Sequence, residues 1–175
     1  MYIMLNRIYY NIIYNNRMII IRYLLLFLSF IPLYNFAEEI NVSGLNKPVE
    51  IIIDKYGVPH IYAQDHYDVF FAQGFNAARD RLWQIDTWRR RGLGQLSEVL
   101  GSSYLEQDRA NRLFLYRGDM YREWLSYGSD AKKISESFIN GINAYIDHID
   151  DNPDKLPIEF NILEYKPSKW KASDI

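Results

Sequence analysis

Two stretches of the chain carry apolar residues at helical spacing over enough length to require a largely helical fold. The first runs from residue 65 to 91, and its regularly spaced positions are Tyr67, Phe71, Gly74, Ala78, Leu82, Ile85 and Trp88. The second begins near Asp130, and its positions are Ala131, Ile134, Phe138, Ile142, Tyr145 and Ile149. Residues three and four positions apart share one face of a helix. Each stretch therefore predicts a long helix with one buried side, the second ending near Asp147.

A short strand region precedes the first helix. Four of the five residues at positions 49–53 are β-branched. A turn is indicated at Tyr56 and Gly57, and an extended piece follows at residues 59–62. Proline at position 59 suits the margin of a strand, where no ladder donor is needed. The pattern predicts a β-hairpin followed by several helices, an α+β arrangement that is mostly helical.

The ends of the first helix have recognisable signals. Asp65 is a good N-cap, and Asp68 at the third helical position favours the same terminus. At the other end three consecutive arginines, Arg89 to Arg91, lead to Gly92. Cations and glycine are both typical of a helix C-terminus, so we expect the helix to stop at Gly92, with the arginines capping it.

The remaining segments give shorter signals. LSEVLG reads as one helical turn stopped by Gly101, after which Ser102 or Ser103 could cap a helix over YLEQDRANRLFLY. The stretch EFNILEYKPSKWKASDI is expected to be extended before a new element begins.

Residues 1–37 have the composition of a secretory signal peptide. They contain Arg7, Arg17 and Arg22 but no acidic residue, then a long uncharged apolar run, then a small residue at Ala37. The run is too short for a membrane-spanning helix, which needs about 20 apolar residues. Met18 is an alternative start, and an uncleaved anchor is the alternative function. We expect a periplasmic or secreted protein whose mature part is residues 38–175.

The net charge and the absence of cysteine argue against several kinds of function and site. The whole chain has a net charge of −2, and removing the three arginines of the signal segment leaves the mature part near −5. Nucleic-acid binding needs a clustered positive surface, so it is disfavoured. The absence of cysteine excludes disulfides, thiolate metal sites and a cysteine nucleophile.

The histidines do not form a metal-binding pattern. His60 and His66 are six residues apart, whereas zinc sites on helices use ligands four residues apart plus a third. A local structural role is the better interpretation for both. His148 lies on the polar side of its helix and is expected to be solvated.

Two further motifs resemble ligand-binding loops but lack residues or neighbouring elements that those loops require. GLGQLS lacks the third glycine of a dinucleotide loop and follows a helix instead of a strand. The acidic run Asp147, Asp150, Asp151 and Asp154 would need glycine and glutamate where Lys155 and Asn161 stand to be a calcium loop. A solvated helix end is expected there. No G-x-S-x-G elbow occurs in the sequence.

The pair Arg79 and Arg81, on either side of Asp80, lies beside apolar Ala78 and Leu82. Such placement suggests partly buried charges that need partners. We expect a structural network here, and the residues alone supply no set of nucleophile, base and orienting group.

Residues 54–101, DKYGVPHIYAQDHYDVFFAQGFNAARDRLWQIDTWRRRGLGQLSEVLG, closely resemble the start of the α-chain of the penicillin acylase (penicillin amidase) family. The resemblance continues through FINGINAYID at 138–147 and LPIEFNILEYKPSKWKASD at 156–174, so it covers about residues 46–175.

This resemblance implies an αββα N-terminal nucleophile hydrolase, exported as a zymogen that cuts itself into an α-chain and a β-chain. The family's nucleophile is the serine that begins the β-chain, and its own α-amine is the base, since that amine has a pKa near neutrality. Oxyanion donors also belong to the β-chain. Substrates are acyl amides, including penicillins and acyl-homoserine lactones.

None of those positions matches a residue of this sequence, so no catalytic, cofactor-binding or metal-binding residue is assigned. The chain is expected to be an α-chain portion, inactive alone and partnered by the β-chain of its precursor. Calcium is expected, if at all, only in the complete protein. The alternative is a non-catalytic remnant or a secreted helical module that binds a partner.

Overall fold

The computed structural model describes residues 38–174, and those from Asn41 onward belong to one compact unit. The predicted signal peptide at residues 1–37 lies outside the described residues. Two strands and six α-helices are found in the described part: β1 Glu50–Ile53, β2 Pro59–Tyr62, α1 His66–Leu93, α2 Ser97–Leu100, α3 Leu105–Arg112, α4 Met120–Ser126, α5 Ala131–Asp151 and α6 Ile158–Ile162. Short 3-10 turns lie at Ser102–Tyr104, Pro153–Lys155 and Ala172–Asp174. No helix among residues 38–174 is long and apolar enough to cross a bilayer.

The predicted hairpin is confirmed as a two-stranded antiparallel sheet, with Ile52 opposite His60. Its turn is organised by Asp54, whose carboxylate accepts hydrogen bonds from the N–H groups of Tyr56 (2.8 Å) and Val58 (2.9 Å). Gly57 adopts a φ of 80°, a conformation that glycine reaches at no steric cost. The turn residues therefore fix the register of the two strands.

Helix α1 begins where the sequence predicts. The Asp65 side chain accepts hydrogen bonds from the N–H groups of Tyr67 and Asp68, which confirms it as the N-cap. Asp68 does more than favour the helix dipole. It is buried, and its two carboxylate oxygens accept from the N–H groups of Asn46 (2.9 Å) and Lys47 (3.0 Å). Asp68 thus ties the segment before the hairpin to the first turn of α1.

The core lies between α1 and α5, the two helices that the apolar periods predict. Their contact buries these apolar side chains: Phe71, Phe75, Ala78, Leu82, Ile139, Ile142, Tyr145, Ile146 and Ile149. The two backbones touch at a pair of glycines. A Cβ on Gly74 would lie 1.9 Å from the carbonyl oxygen of Phe138, and one on Gly141 would lie 1.9 Å from that of Phe71. Only residues without a side chain permit this approach.

The second half of α1 departs from the prediction. Arg81 leaves helical geometry (φ −148°, ψ 35°) and kinks the helix. After Leu82 the buried residues of α1 are polar: Asp86, Arg89 and Arg90. Trp88 is 68% exposed, so its assignment to the buried face is wrong. Gly92 is also not the terminus. The helix continues to Leu93, and Gly94 caps it in the left-handed conformation (φ 66°) with its N–H directed at the carbonyls of Arg90 and Arg91.

Three other predictions need correction. Neither Ser102 nor Ser103 is an N-cap, because both lie inside a 3-10 turn that runs directly into α3. Helix α4 is not predicted at all. The segment expected to be extended contains α6, which forms because Phe160, only 1% exposed, is driven into the core. The mostly helical character with one small sheet agrees with the prediction.

Candidate functional site

The most buried polar group of the structure is an ionic cluster in the last turns of α1. Asp86 is fully buried and accepts from two guanidiniums, that of Arg89 at 2.9 Å and that of Arg90 at 2.8 Å. The three side chains lie on one face because they are three and four positions apart. Each carboxylate oxygen has its own donor, an arrangement that repays part of the cost of desolvation. Arg89 and Arg90 were expected to cap the helix end, but they are buried and bond to Asp86; of the three arginines, Arg91 is exposed.

Arg89 also holds the segment that follows α6. Its Nη1 donates to the main-chain carbonyls of Ser168 (3.3 Å) and Lys169 (3.1 Å), and its Nη2 donates to the Ser168 hydroxyl at 2.6 Å. Asp174 lies 3.5 Å from the same guanidinium. One side chain of α1 thus fixes a stretch of backbone about 80 positions later in the chain.

Two aromatic rings cover this cluster. The Arg89 guanidinium lies 4.8 Å from the ring centroid of Trp170, and that of Arg90 lies 5.1 Å from Tyr165. Such cation–π contacts are strongest where water is excluded. Burial raises the pKa of the Tyr165 phenol above its usual value, and the negative charge of Asp86 adds to the shift. The phenol therefore stays neutral across the physiological range.

A third buried carboxylate organises the region after α1. Asp108 of α3 accepts from the N–H groups of Leu96 (3.0 Å) and Ser97 (2.7 Å) and from the Ser97 hydroxyl (2.6 Å). Burial works to raise the pKa of this carboxyl, but the three hydrogen bonds outweigh it and hold the pKa below its usual value. Asp108 thereby joins α3 to the start of α2.

The histidines are separated into different local settings. His60 lies 3.3 Å from the turn residue Asp54, and His66 contacts the rings of Tyr67 and Phe70. His148 is not solvated as expected. It is half-buried beside Phe75, because α5 turns that side toward α1.

The other candidate motifs have structural explanations. The second glycine of GLGQLS, Gly94, is the helix cap, and a Cβ there would lie 2.6 Å from the carbonyl oxygen of Asp108. The acidic residues Asp150, Asp151 and Asp154 are exposed, and Asp147 pairs with Lys169. Within residues 38–174, no three His, Asp or Glu side chains converge in a way that could hold a metal ion.

The predicted network of Arg79, Asp80 and Arg81 is only partly correct. Arg79 does lie near Asp80 at 3.5 Å and donates to Asn76, but the Asp80 side chain is 44% exposed. Arg81 points elsewhere and donates to Gln84. The buried network exists, but it lies six residues further along α1, at Asp86.

Sequence reasoning missed Asp86, Asp68 and Asp108 as buried anchors. An acidic residue in a helical stretch ordinarily marks the solvent face. The signal that could have identified Asp86 is its spacing to two arginines, at three and four positions, on the side of the helix continuous with Leu82. In this part of the chain the Ser97 hydroxyl donates to the Asp108 carboxylate, and the Ser168 hydroxyl accepts from Arg89. Asp108 also accepts from two main-chain N–H groups, which is the bonding of a structural anchor.

Several known proteins are similar to this chain in sequence. The sequence model of the penicillin amidase family matches residues 48–175. Penicillin G acylase of Escherichia coli is 32% identical over 128 residues, and penicillin acylase 2 proenzyme of Pseudomonas sp. (strain SE83) is 33% identical over 135 residues. The acyl-homoserine lactone acylase QuiP of Pseudomonas fluorescens (strain Pf0-1) is 32% identical over 136 residues.

The same comparisons define the extent of the similarity. The matched regions cover 73% to 77% of this chain but only 15% to 17% of those relatives. In three dimensions the thermostable penicillin G acylase of Alcaligenes faecalis matches with a TM-score of 0.67 at 30% identity, covering 73% of this chain and 67% of that chain. Sequence and fold agree, so the chain belongs to the penicillin amidase family.

Proposed function

We propose that this chain is the N-terminal α-chain portion of an exported amidohydrolase that cleaves the acyl amide of penicillin-like or acyl-homoserine-lactone-like substrates. In this proposal the complete protein has the αββα fold of N-terminal nucleophile hydrolases. Its nucleophilic serine and oxyanion donors lie in a β-chain outside these residues, and this chain supplies scaffold.

The similarity to penicillin and acyl-homoserine lactone acylases over 73% to 77% of the chain is the observation that carries the proposal. The local geometry supports the scaffold role. The buried charges of Asp68, Asp86 and Asp108 are each satisfied by groups that join one segment of the chain to another. Such groups hold backbone in place, which is the part of a scaffold.

Two further parts of the proposal concern export and metal binding. We propose that residues 1–37 direct the protein to the periplasm or the exterior and are removed near Ala37. We also propose that calcium, where it binds, binds the complete protein.

A chimaeric precursor tests the proposal directly. Residues 48–175 replace the matched segment of the Escherichia coli penicillin G acylase, and two quantities are measured: self-cleavage into two chains, and hydrolysis of a chromogenic phenylacetyl amide. We expect both to occur in the chimaera, whereas the isolated 175-residue chain should hydrolyse neither this amide nor an acyl-homoserine lactone.

Two results would contradict the proposal. A soluble chimaera that neither cleaves itself nor turns over substrate would show that the chain is not a working α-chain portion, and would favour the partner-binding module. Hydrolysis by the isolated chain, abolished by a point mutation within it, would show that the scaffold assignment is wrong. The control is a chimaera in which the nucleophilic serine is replaced by alanine, which removes catalysis.

A further inference from the structure

A cleft beside α4 has no role in the proposed function. It has a volume of about 580 Å³ and lies between α4, the segment that precedes it and the first turns of α5. We call it the α4 cleft and define it by the side chains that matter for its chemistry: Tyr116, Glu123, Trp124, Tyr127 and Asp174. Its volume falls within the range of small-molecule sites, which is about 300–1,000 Å³.

The charge of the α4 cleft is negative. Glu123 and Asp174 both line it, and none of the described residues that line it is lysine, arginine or histidine. Asp174 is balanced from outside the cleft, since it lies 3.5 Å from the Arg89 guanidinium. The carboxylate of Glu123 is instead bonded by a neutral group, the Tyr127 hydroxyl, at 3.0 Å.

Glu123 exerts its charge on two phenols of the cleft. A hydrogen bond to Glu123 and its negative charge raise the pKa of Tyr127 above its usual value. Burial raises the pKa of Tyr116, and the charge of Glu123 adds to that shift. Both phenols therefore remain neutral, and both rings line the cleft with Glu123.

The aromatic rings complete a cation-binding geometry. The ring centroids of Trp124 and Tyr127 lie 5.9 Å apart with the ring planes at 56°, so the two rings pack against each other and line the cleft together with Glu123. The negative face of an aromatic ring attracts a cation held within about 6 Å of its centroid, and tryptophan and tyrosine are the strongest such rings. A carboxylate and two electron-rich rings lining one cleft is the chemistry that recognises an ammonium group.

We propose that the α4 cleft binds an organic ammonium ion, with its charge facing Glu123 and its alkyl groups against Trp124 and Tyr127. The ion is either a free alkylammonium compound or the side chain of a lysine. This inference rests on the cleft alone and stands or falls independently of the amidohydrolase proposal.

The test follows the indole N–H NMR signal of Trp124 in the complete 175-residue chain during titration. The probes are choline, its uncharged isostere with a tert-butyl group in place of trimethylammonium, and Nα-acetyl-lysine methylamide. We expect choline or the lysine derivative to shift the signal saturably, and the isostere to bind at least about fivefold more weakly. Tighter binding of choline identifies a free quaternary ion as the ligand class, and tighter binding of the lysine derivative identifies a side chain.

Matched variants separate charge from shape. Glu123→Gln should weaken binding of the cation by about fivefold or more, and Trp124→Leu, followed on the cation's own signals, by about two- to fivefold, the range of an exposed cation–π contact. Glu106→Gln is the control, because Glu106 is 85% exposed and pairs with Arg109 away from the cleft. It should leave binding unchanged.

Three outcomes would overturn the inference. They are equal binding of choline and its isostere, equal effects of the Glu123 and Glu106 variants, and a chain whose four indole signals lack the dispersion of a folded protein. In the last case the cleft does not exist in the chain as it stands.

Discussion

Replacing Gly141 with alanine should destabilise the fold strongly, because the glycine is where α5 meets the backbone of α1. The added Cβ would lie 1.9 Å from the carbonyl oxygen of Phe71 and 2.7 Å from the N–H nitrogen of Phe75. Both are backbone atoms of a long helix, so neither can swing aside as a flexible side chain would. The helices must separate, which loosens every apolar contact between them.

The magnitude follows from two opposing terms. Overpacking a core costs typically about 1–3 kcal/mol, and a clash with backbone belongs at the upper end. Alanine also has a higher helix propensity than glycine, which raises the free energy of unfolding by about 1 kcal/mol. We therefore expect Gly141→Ala to lower the free energy of unfolding by about 2 kcal/mol, roughly a thirtyfold change in the unfolding equilibrium.

Gly92→Ala is the matched control. Gly92 also lies within a helix, but a Cβ there meets no heavy atom within 4 Å. Only the propensity term remains, so this variant should gain about 0.5–1 kcal/mol. Urea unfolding of both variants and the parent chain, followed by far-UV circular dichroism, measures the difference. If Gly141→Ala is as stable as Gly92→Ala, the helices do not touch at this glycine and the packing described here is wrong.

Three further predictions concern the buried aspartates and the first helix cap. Asp86→Asn should lower the free energy of unfolding, measured by thermal unfolding, by about 3–5 kcal/mol, because it leaves two buried guanidiniums without their shared carboxylate. The control Asp150→Asn changes an exposed residue and should alter the free energy of unfolding by no more than about 0.5 kcal/mol. Equal effects of the two variants would contradict the buried cluster. Asp108 has a lowered pKa in the fold, so its contribution is present above the unfolded value near pH 4 and is lost as the pH falls through the folded pKa. Acid titration of Asp108→Asn should therefore show a smaller loss of stability below about pH 4 than the parent, and an unchanged acid profile would refute the assignment. Asp65→Ala should lower the free energy of unfolding by about 0.5–2 kcal/mol in the urea assay, since two N–H groups of α1 lose their acceptor, and no change would show that the cap is unused.

The sequence predicts those parts of the fold that depend on apolar periodicity or on contacts between neighbouring residues. The apolar periods of α1 and α5 are long, and apolar side chains have no alternative but to face each other, so both helices are found where expected. The Asp65 cap and the hairpin turn at Gly57 are equally local, because each depends on neighbouring backbone groups alone.

The parts that were missed depend on contacts between distant segments. The sequence assigns Arg89 to a helix cap and gives Asp86 no role, because the contacts of Arg89 with Ser168 and Trp170 cannot be seen from helical spacing. Helical spacing places the apolar Trp88 on the buried face, although it is exposed in the structure. Phe160 likewise draws a short helix from a segment with little helical pattern of its own. The family resemblance supplied the fold and the class of activity, but the roles of these buried charges appear only in the folded chain.

The reach of Arg89 across about 80 positions sets an order of events during synthesis. Ribosomes add about 5–20 residues per second, so Arg89 leaves the ribosome roughly 4 to 16 s before the carbonyls of Ser168 and Lys169. During that interval the end of α1 carries two guanidiniums around one carboxylate, in a helix whose aromatic cover has not yet been made. A nascent chain stalled in this window should present that helix to proteases and chaperones, whereas one released after residue 174 should not.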